Sequence, residues 1–114
     1  KEFPETQVHF RNADFTKSLE LPLLDGLIAA NSIHFQKDHV SVFKKLASYL
    51  KPGGTFIVIE YNADTGNMYV PYPFSYASFE KIALDAGLYT PELLATYPST
   101  MLDELYAACA THLK

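Results

Sequence analysis

The fold is decided by one stretch of the sequence, Leu50-Lys51-Pro52-Gly53-Gly54-Thr55-Phe56-Ile57-Val58-Ile59-Glu60-Tyr61. Its second part, from Thr55 to Tyr61, is rich in β-branched and aromatic residues, which is typical of a β-strand. Proline cannot continue a helix, and glycine accepts the left-handed conformation that closes one, so Pro52-Gly53-Gly54 predicts the end of a preceding helix. The stretch therefore predicts a helix that ends directly before a strong strand.

Strands and helices alternate on both sides of this stretch. Two strands are predicted before it, at Val8–Arg11 and Asp25–Ala30, and the second is so apolar that both its faces should be covered. Asp38 is a good N-cap for the intervening helix, whose apolar residues recur at helical spacing. A second helix should begin near Ser75 and end at Gly87. This alternation predicts an α/β domain with a mostly parallel sheet and flanking helices.

The C-terminal part of the sequence is less clearly patterned. Residues 92–97 and 104–111 are compatible with two final strands around a turn at Pro98-Ser99, which would form a C-terminal antiparallel hairpin. The second of these segments is alanine-rich, so a helix is equally compatible with it.

Length and composition exclude several classes of protein. The chain has 114 residues, of which 48% are hydrophobic, and this is a globular composition of at most one domain. A net charge of −4, a pI near 5.4 and a single arginine, Arg11, argue against nucleic-acid binding. No apolar run approaches the ~20 residues of a membrane span, and the N-terminus lacks a signal-peptide pattern.

Cysteine and histidine usage narrows the chemistry further. The single cysteine, Cys109, excludes an internal disulfide framework and fits the reducing conditions of a cytoplasmic protein. The histidines His9, His34, His39 and His112 lack the spacing of zinc ligands, so no metal site is expected.

Polar residues follow each of the predicted strands, and open parallel sheets bind their ligands at that edge. The segments are Asn12–Phe15, Asn31–Phe35 and Glu60–Asn62, and the last is continued by a long polar and aromatic loop to Phe74. Loops of this length inside a compact domain are usually functional or mobile.

The order of these features resembles the second half of a class I S-adenosylmethionine-dependent methyltransferase. The resemblance rests on Asp14 after a short strand, the apolar strand to Ala30, and the Leu-Lys-Pro-Gly-Gly turn at 50–54 ahead of a β-branched strand. It implies a partial Rossmann-like fold, with residues 1–114 as a single C-terminal fragment of such a domain. The implied activity of the intact parent protein is transfer of a methyl group from S-adenosylmethionine to a small-molecule acceptor.

Two features of that family are absent from the sequence. Such enzymes begin with a strand and a glycine-rich loop that approaches the methionine part of the cofactor, and the next strand ends in a carboxylate that holds the ribose hydroxyls. Gly53-Gly54 cannot substitute, because it precedes a strand where a cofactor loop must follow one. The resemblance therefore implies that the chain starts at the third strand of seven, which agrees with the absence of an initiator methionine at Lys1.

Four residues are implied to bind the cofactor: Asp14, Phe15, Asn31 and Ser32. Asp14 would accept a hydrogen bond from the adenine amino group while Phe15 lies against the ring; otherwise the two are a turn aspartate and a core phenylalanine. Asn31 and Ser32 would face the methionine moiety or the acceptor, or else satisfy backbone groups at the end of a strand.

His34 and Glu60 are the candidate catalytic residues. An unperturbed histidine pKa near ~6.5 suits a general base, although methyl transfer often needs only alignment of the nucleophile and the sulfonium. Glu60 would help to bind an amine or hydroxyl acceptor, or it would cap a neighbouring helix or pair with Lys81. A substrate-facing role is predicted for Tyr61, Asn62, Asn67, Tyr72 and Tyr76. The aromatic residues Tyr69, Tyr72, Phe74 and Tyr76 would form a lid over a small substrate, or else they are ordinary packing of the loop.

A non-enzymatic interpretation is also open. In the family's sheet order, the missing strands lie between the first two strands of this chain, so the strand at 27–31 would expose an unpaired apolar edge. The alternative is therefore a non-catalytic, truncated α/β module that self-associates through this edge. It predicts a homodimer or a rearranged first segment for the isolated chain, and the other expected partner is the missing N-terminal half.

Overall fold

The structure is a computed structural model and describes residues 8–112. Within this range the chain forms four strands, two α-helices and a short 3-10 helix at Ile33–Phe35. In chain order the strands and α-helices are β1 (Leu24–Ala30), α1 (His39–Ala47), β2 (Leu50–Tyr61), α2 (Tyr76–Asp85), β3 (Tyr89–Pro98) and β4 (Glu104–His112). The strands form one sheet in the order β1-β2-β4-β3.

The sheet is mixed, which corrects the expectation of a mostly parallel one. β1 and β2 are parallel because α1 carries the chain back between them, whereas β4 is antiparallel to both β2 and β3. The difference comes from the predicted C-terminal hairpin, whose second strand β4 enters the sheet between β2 and β3. The alanine-rich segment is therefore a strand and not a helix.

The expected first strand at Val8–Arg11 does not form, and these residues have no regular secondary structure. Val8 and Phe10 are 67% and 94% exposed. A strand needs a neighbour to pair its backbone groups, and this segment has none in residues 8–112.

β1 forms where it is predicted, but it is not covered on both faces. It pairs only with β2 within the described range and so forms one edge of the sheet. Ala29 is its only buried residue, and Ile28 is 65% exposed. The apolar composition that predicts a covered strand therefore produces an open apolar edge.

Both helices begin at the predicted caps. The Asp38 carboxylate accepts a hydrogen bond from the backbone N–H of Ser41 at 3.1 Å, and the Ser75 hydroxyl accepts one from that of Ser78 at 3.2 Å. Helix α2 is closed at Gly87, as predicted, because a φ of 89° is the left-handed conformation that glycine adopts freely.

The Pro-Gly-Gly turn lies at the start of β2 rather than at the end of α1. The helix ends at Ala47, and β2 already begins at Leu50. A bulge follows, in which β2 takes five residue steps against two on β1. Gly53 has a φ of 82° there, and a β-carbon on Gly54 would meet backbone oxygens at 2.9 and 3.1 Å. The bulge therefore requires both glycines.

The core lies between the helices and one face of the sheet. Phe56 and Val58 of β2 and Tyr106 of β4 are fully buried on this face. Phe43 of α1 meets Phe56 edge to face, with ring centres 5.0 Å apart. The alternate residues of β2 and β4 are only partly buried, so the opposite face has no helical layer within the described range.

Candidate active site

Loops meet at the carboxyl edge of the parallel strands β1 and β2. They are residues 31–38 after β1, residues 62–75 after β2, and the turn at 99–103 between β3 and β4. The backbone N–H of Tyr72 donates to the carbonyl oxygen of His34 at 2.8 Å, and the Asn67 amide donates to that of Met101 at 3.4 Å. The edge is thus built largely from the segments that the sequence singles out.

The two predicted catalytic residues lie together as a buried pair. Oε1 of Glu60 is 2.8 Å from Nδ1 of His34, and the side chains are 0% and 4% exposed. The other carboxylate oxygen, Oε2, accepts a hydrogen bond from the backbone N–H of Ile33 at 3.1 Å. These groups, rather than Lys81, are the partners of Glu60, which both caps the 3-10 helix and orients the imidazole.

The contact with Glu60 occupies Nδ1 of His34 and leaves Nε2 as its other ring nitrogen. In the tautomer in which Nδ1–H donates to the Glu60 carboxylate, the lone pair of the ring is on Nε2. No fully buried side-chain nitrogen or oxygen in residues 8–112 lacks a hydrogen-bond partner. Nε2 of His34 has no hydrogen-bond partner in that range, and the His34 side chain is 4% exposed. An imidazole in this state is able to take a proton from a hydroxyl or an amine.

His39 contacts the loop that follows β2, and no functional role for it is predicted from the sequence. Its Nε2 lies 2.9 Å from the carbonyl oxygen of Tyr72, and its ring packs on Phe74 with centres 4.6 Å apart. Burial lowers the pKa of His39 below its usual value of 6.5, so the neutral ring donates Nε2–H to this carbonyl. Its position directly after the N-cap Asp38 predicts the start of a helix but not this contact.

Asn62 uses its side-chain amide within the protein. Nδ2 donates to the Glu104 carboxylate at 2.8 Å, and Oδ1 accepts the backbone N–H of Tyr76 at 2.8 Å. The Tyr76 ring stacks on Phe79, and burial, together with a hydrogen bond to Glu80, raises the pKa of Tyr76 to about 12. Asn62 thus joins the end of β2 to the starts of β4 and α2, and a substrate-facing role for these two residues stays a prediction.

The other predicted substrate-facing residues differ in their surroundings. Asn67 folds the tip of its loop, because Oδ1 accepts two backbone N–H groups at 2.8 and 2.9 Å. Tyr72 is 41% exposed, and the ring of Tyr61 lies 5.8 Å from that of His34. Tyr61 and Tyr72 are therefore the members of this set that contact His34 or lie beside it.

The predicted cofactor residues lie near β1. The hydroxyl and backbone N–H of Thr16 donate to Oδ1 of Asp14 at 2.6 and 2.9 Å, and they lower the pKa of this exposed carboxyl. Phe15 and Ser32 line one cavity of about 240 Å³. Asn31 is exposed and takes the left-handed conformation, with a φ of 51°.

This cavity is apolar and lies along the open edge of β1. Besides Phe15 and Ser32 it is lined by Leu19, Leu21, Leu27, Ile28, Ala29, Ala30, Leu46 and Tyr49. Its volume is below the about 300 Å³ at which complete small-ligand sites begin. It therefore suits one ring system of a ligand and not a whole nucleoside with its substituents.

The described part of the chain lacks two other features. Between residues 8 and 112 neither α-helix has the length and apolar character needed to cross a membrane. Over the same residues, no three His, Cys, Asp or Glu side chains form a group that could hold a metal ion. Burial raises the pKa of the Cys109 thiol, which keeps it protonated within β4.

No family model and no curated protein matches the chain, but solved structures do. The chain is similar to human N-acetylserotonin methyltransferase in complex with S-adenosylmethionine, with 20% identity and a TM-score of 0.68 over 92% of this chain and 34% of that one. It is similar to Burkholderia thailandensis 1,6-didemethyltoxoflavin-N1-methyltransferase, with 15% identity and a TM-score of 0.66 over 90% of this chain and 49% of that one. For an O-methyltransferase from neocarzinostatin biosynthesis the identity is 19% and the TM-score 0.59, over 89% and 33% of the two chains.

The fold is thus an α/β, Rossmann-like one. Within the described residues its helices cover one face of a mixed sheet. It is the fold of class I S-adenosylmethionine-dependent methyltransferases, as the resemblance in the sequence implies. The chain spans about a third to a half of the length of these structures. At identities of 15% to 20%, the likeness concerns the fold.

Proposed function

We propose that this protein is the C-terminal part of an S-adenosylmethionine-dependent methyltransferase that acts on a small-molecule acceptor. The observation that carries the proposal is the buried His34–Glu60 pair at the carboxyl edge of the parallel strands. Structures of the same fold that contain S-adenosylmethionine or S-adenosylhomocysteine support the choice of cofactor.

The residues near β1 suit the adenine end of the cofactor. Phe15 offers an aromatic face and Ser32 a hydroxyl in the same cavity, and Oδ2 of Asp14 has no hydrogen-bond partner among residues 8–112. Asn31 adds an exposed amide beside them. When bound, S-adenosylmethionine supplies an electrophilic methyl group whose carbon–sulfur bond breaks towards sulfur. The cavity of about 240 Å³ fits only one end of this molecule, which agrees with half a cofactor site.

In the proposed reaction His34 is the general base. Nε2 takes the proton of the acceptor's hydroxyl or amine as the acceptor attacks, and Glu60 accepts Nδ1–H and stabilises the imidazolium that forms. Burial of the pair strengthens this interaction, because little water competes with it. Tyr61 beside the ring, and Tyr72, whose backbone N–H donates to the His34 carbonyl oxygen, would form the wall for an apolar or aromatic acceptor.

Calorimetry with S-adenosylhomocysteine on the intact parent protein tests the cofactor, and absence of binding there contradicts the proposal. A general base contributes a factor of about 100 to 10,000, so His34→Gln should lower kcat by at least about 100-fold while the Kd for S-adenosylhomocysteine stays unchanged. The control is His9→Gln, in an exposed segment. An active His34→Gln variant would assign catalysis to alignment alone.

A second function is favoured by the open apolar edge of β1. Ile28 on this strand is 65% exposed, and an unpaired edge is a template for another strand. The alternative is a non-catalytic module that forms a homodimer by pairing β1 with a second copy. Light scattering should then give a dimer that Ile28→Lys dissociates, whereas a monomeric wild-type chain with a well-dispersed NMR spectrum argues against it.

A further inference from the structure

We propose that His39 is a positioning residue of this site and that it acts on His34 through the backbone of Tyr72. The catalytic consequence rests on the proposed function, whereas the contacts do not. His39 lies outside the His34–Glu60 pair, as the first residue of α1.

Hydrogen bonds connect the two histidines. Nε2 of His39 lies 2.9 Å from the carbonyl oxygen of Tyr72, and the backbone N–H of Tyr72 donates to the carbonyl oxygen of His34 at 2.8 Å. The His34 ring in turn meets Glu60 at 2.8 Å. Both backbone polar groups of Tyr72 are therefore engaged, one by each histidine.

The outer part of the loop after β2, residues 64–69, is exposed. Residues 63–74 have no helix or strand, and Met68 and Tyr69 at the tip are 83% and 64% exposed. The tip is tied to the next loop by one exposed hydrogen bond, from Asn67 to Met101 at 3.4 Å. Val70 and Phe74 on either side of Tyr72 are buried, whereas Tyr72 itself is 41% exposed, so the bond to His39 is the contact that holds its carbonyl group next to α1.

His39 itself is fixed to a rigid element. It is the first residue of α1, directly after the N-cap Asp38, whose carboxylate is bonded to the backbone N–H of Ser41. Its ring packs on Phe74, which is buried against Phe43 in the core. A loop that is fastened to a helix in this way is held more precisely than one that carries its own contacts.

Two variants distinguish the effect of the His39 hydrogen-bond donor from the effect of its ring packing. His39→Phe keeps an aromatic ring on Phe74 but has no N–H, whereas His39→Gln loses the ring and keeps an N–H of similar reach. Circular dichroism melting first establishes that both variants fold. Loss of one hydrogen bond should then speed chymotrypsin cleavage after Tyr69 under native conditions by about five- to tenfold in His39→Phe, and by less than about twofold in His39→Gln.

The second readout is the ¹⁵N NMR signature of the His34 ring. In His39→Phe we expect the Nδ1 and Nε2 signals of His34 to shift and the Nδ1 proton to exchange faster with solvent, and in His39→Gln to match the wild type. Neither readout needs cofactor or acceptor, so both stay decisive if the protein transfers no methyl group. Unchanged cleavage and unchanged His34 signals in His39→Phe overturn the proposal, and so does an equal effect in both variants, which would assign the effect to ring packing.

Discussion

Tyr106 and Phe74 are joined by a buried hydrogen bond, in which the tyrosine hydroxyl donates to the phenylalanine carbonyl oxygen at 2.7 Å. Tyr106 is fully buried on β4, and burial raises its pKa far above the usual value for tyrosine, so the hydroxyl remains a donor. Phe74 is the last residue of the loop before the cap of α2. The bond therefore ties the end of the loop after β2 to the centre of the sheet.

Tyr106→Phe should destabilise the protein, because it leaves the Phe74 carbonyl oxygen buried without this donor. We expect the free energy of unfolding, measured in urea, to fall by about 1–3 kcal/mol. Tyr89→Phe is the control, since Tyr89 is 44% exposed and its change should stay within about 0.5 kcal/mol. Equal stability of Tyr106→Phe and wild type would contradict the role of this bond.

Gly66→Ala should disrupt the loop after β2. A β-carbon there would overlap the carbonyl oxygen of Val70 and lie 2.5 Å from that of Pro71, and backbone atoms cannot move aside without rearranging the loop. We expect a loss of about 1–3 kcal/mol in urea unfolding, with shifted amide signals around Asn67. Gly26→Ala, whose β-carbon would lie 3.5 Å from its nearest neighbour, should cause neither change.

Asn62→Ala should show whether this amide is structural. The substitution removes the bonds to Glu104 and to the backbone N–H of Tyr76, so we expect the free energy of unfolding to fall by about 1–3 kcal/mol. Asn12→Ala, in an exposed segment, is the control. If Asn62→Ala unfolds like the wild type, the amide is free for a ligand and the predicted substrate-facing role gains support.

Stability should decrease on mild acidification because of His39. Burial holds the pKa of His39 in the folded protein below its usual 6.5, so the unfolded chain takes up the proton first. The contribution of the neutral ring is complete above that usual value and is lost as the pH falls towards the lower folded value. We expect the free energy of unfolding in urea to be smaller at about pH 5.5 than at about pH 7.5, and His39→Phe to flatten the difference.

The carboxylates provide an internal check on this assignment. Hydrogen bonds from Ser41 to Asp38, and from Ser75 and Ser78 to Asp64, lower the pKa of both aspartates from their usual 3.8. Their stabilisation is complete above that value and disappears only as the pH falls below it. A loss of stability between about pH 5.5 and 7.5 that is the same in wild type and His39→Phe would remove His39 as its cause.

The elements with local signals could be predicted from the sequence. Asp38, Ser75 and Gly87 mark helix ends through their own side chains or backbone, and the structure confirms all three. The segment at Val8–Arg11 and the cover of β1 could not be predicted, because apolar periodicity shows that a residue favours burial but not that a neighbour is present to bury it. The position of β4 between β2 and β3 could not be predicted either, because the pattern of one strand does not show which strands it pairs with.

The site was predictable in part for a related reason. His34 and Glu60 lie at the carboxyl ends of adjacent parallel strands, so a topological rule brings them to the same edge. Their direct hydrogen bond, and the use of Asn62 inside the protein, depend on side-chain directions that the strand pattern does not encode. His39 was missed because a histidine at the start of a helix carries no signal for a contact with a loop that lies more than thirty residues away in the chain.

The bulge at the start of β2 has a consequence for the free edge of β1. It turns Lys51 towards Asp25, with Nζ 3.2 Å from the carboxylate, and both side chains are exposed, so the pair adds little stability. Charges on an edge strand nevertheless act as gatekeepers against an incoming strand. No charge protects Leu27–Ala30 further along β1. Aggregation of the isolated chain would therefore nucleate at the end of β1 that borders the candidate active site.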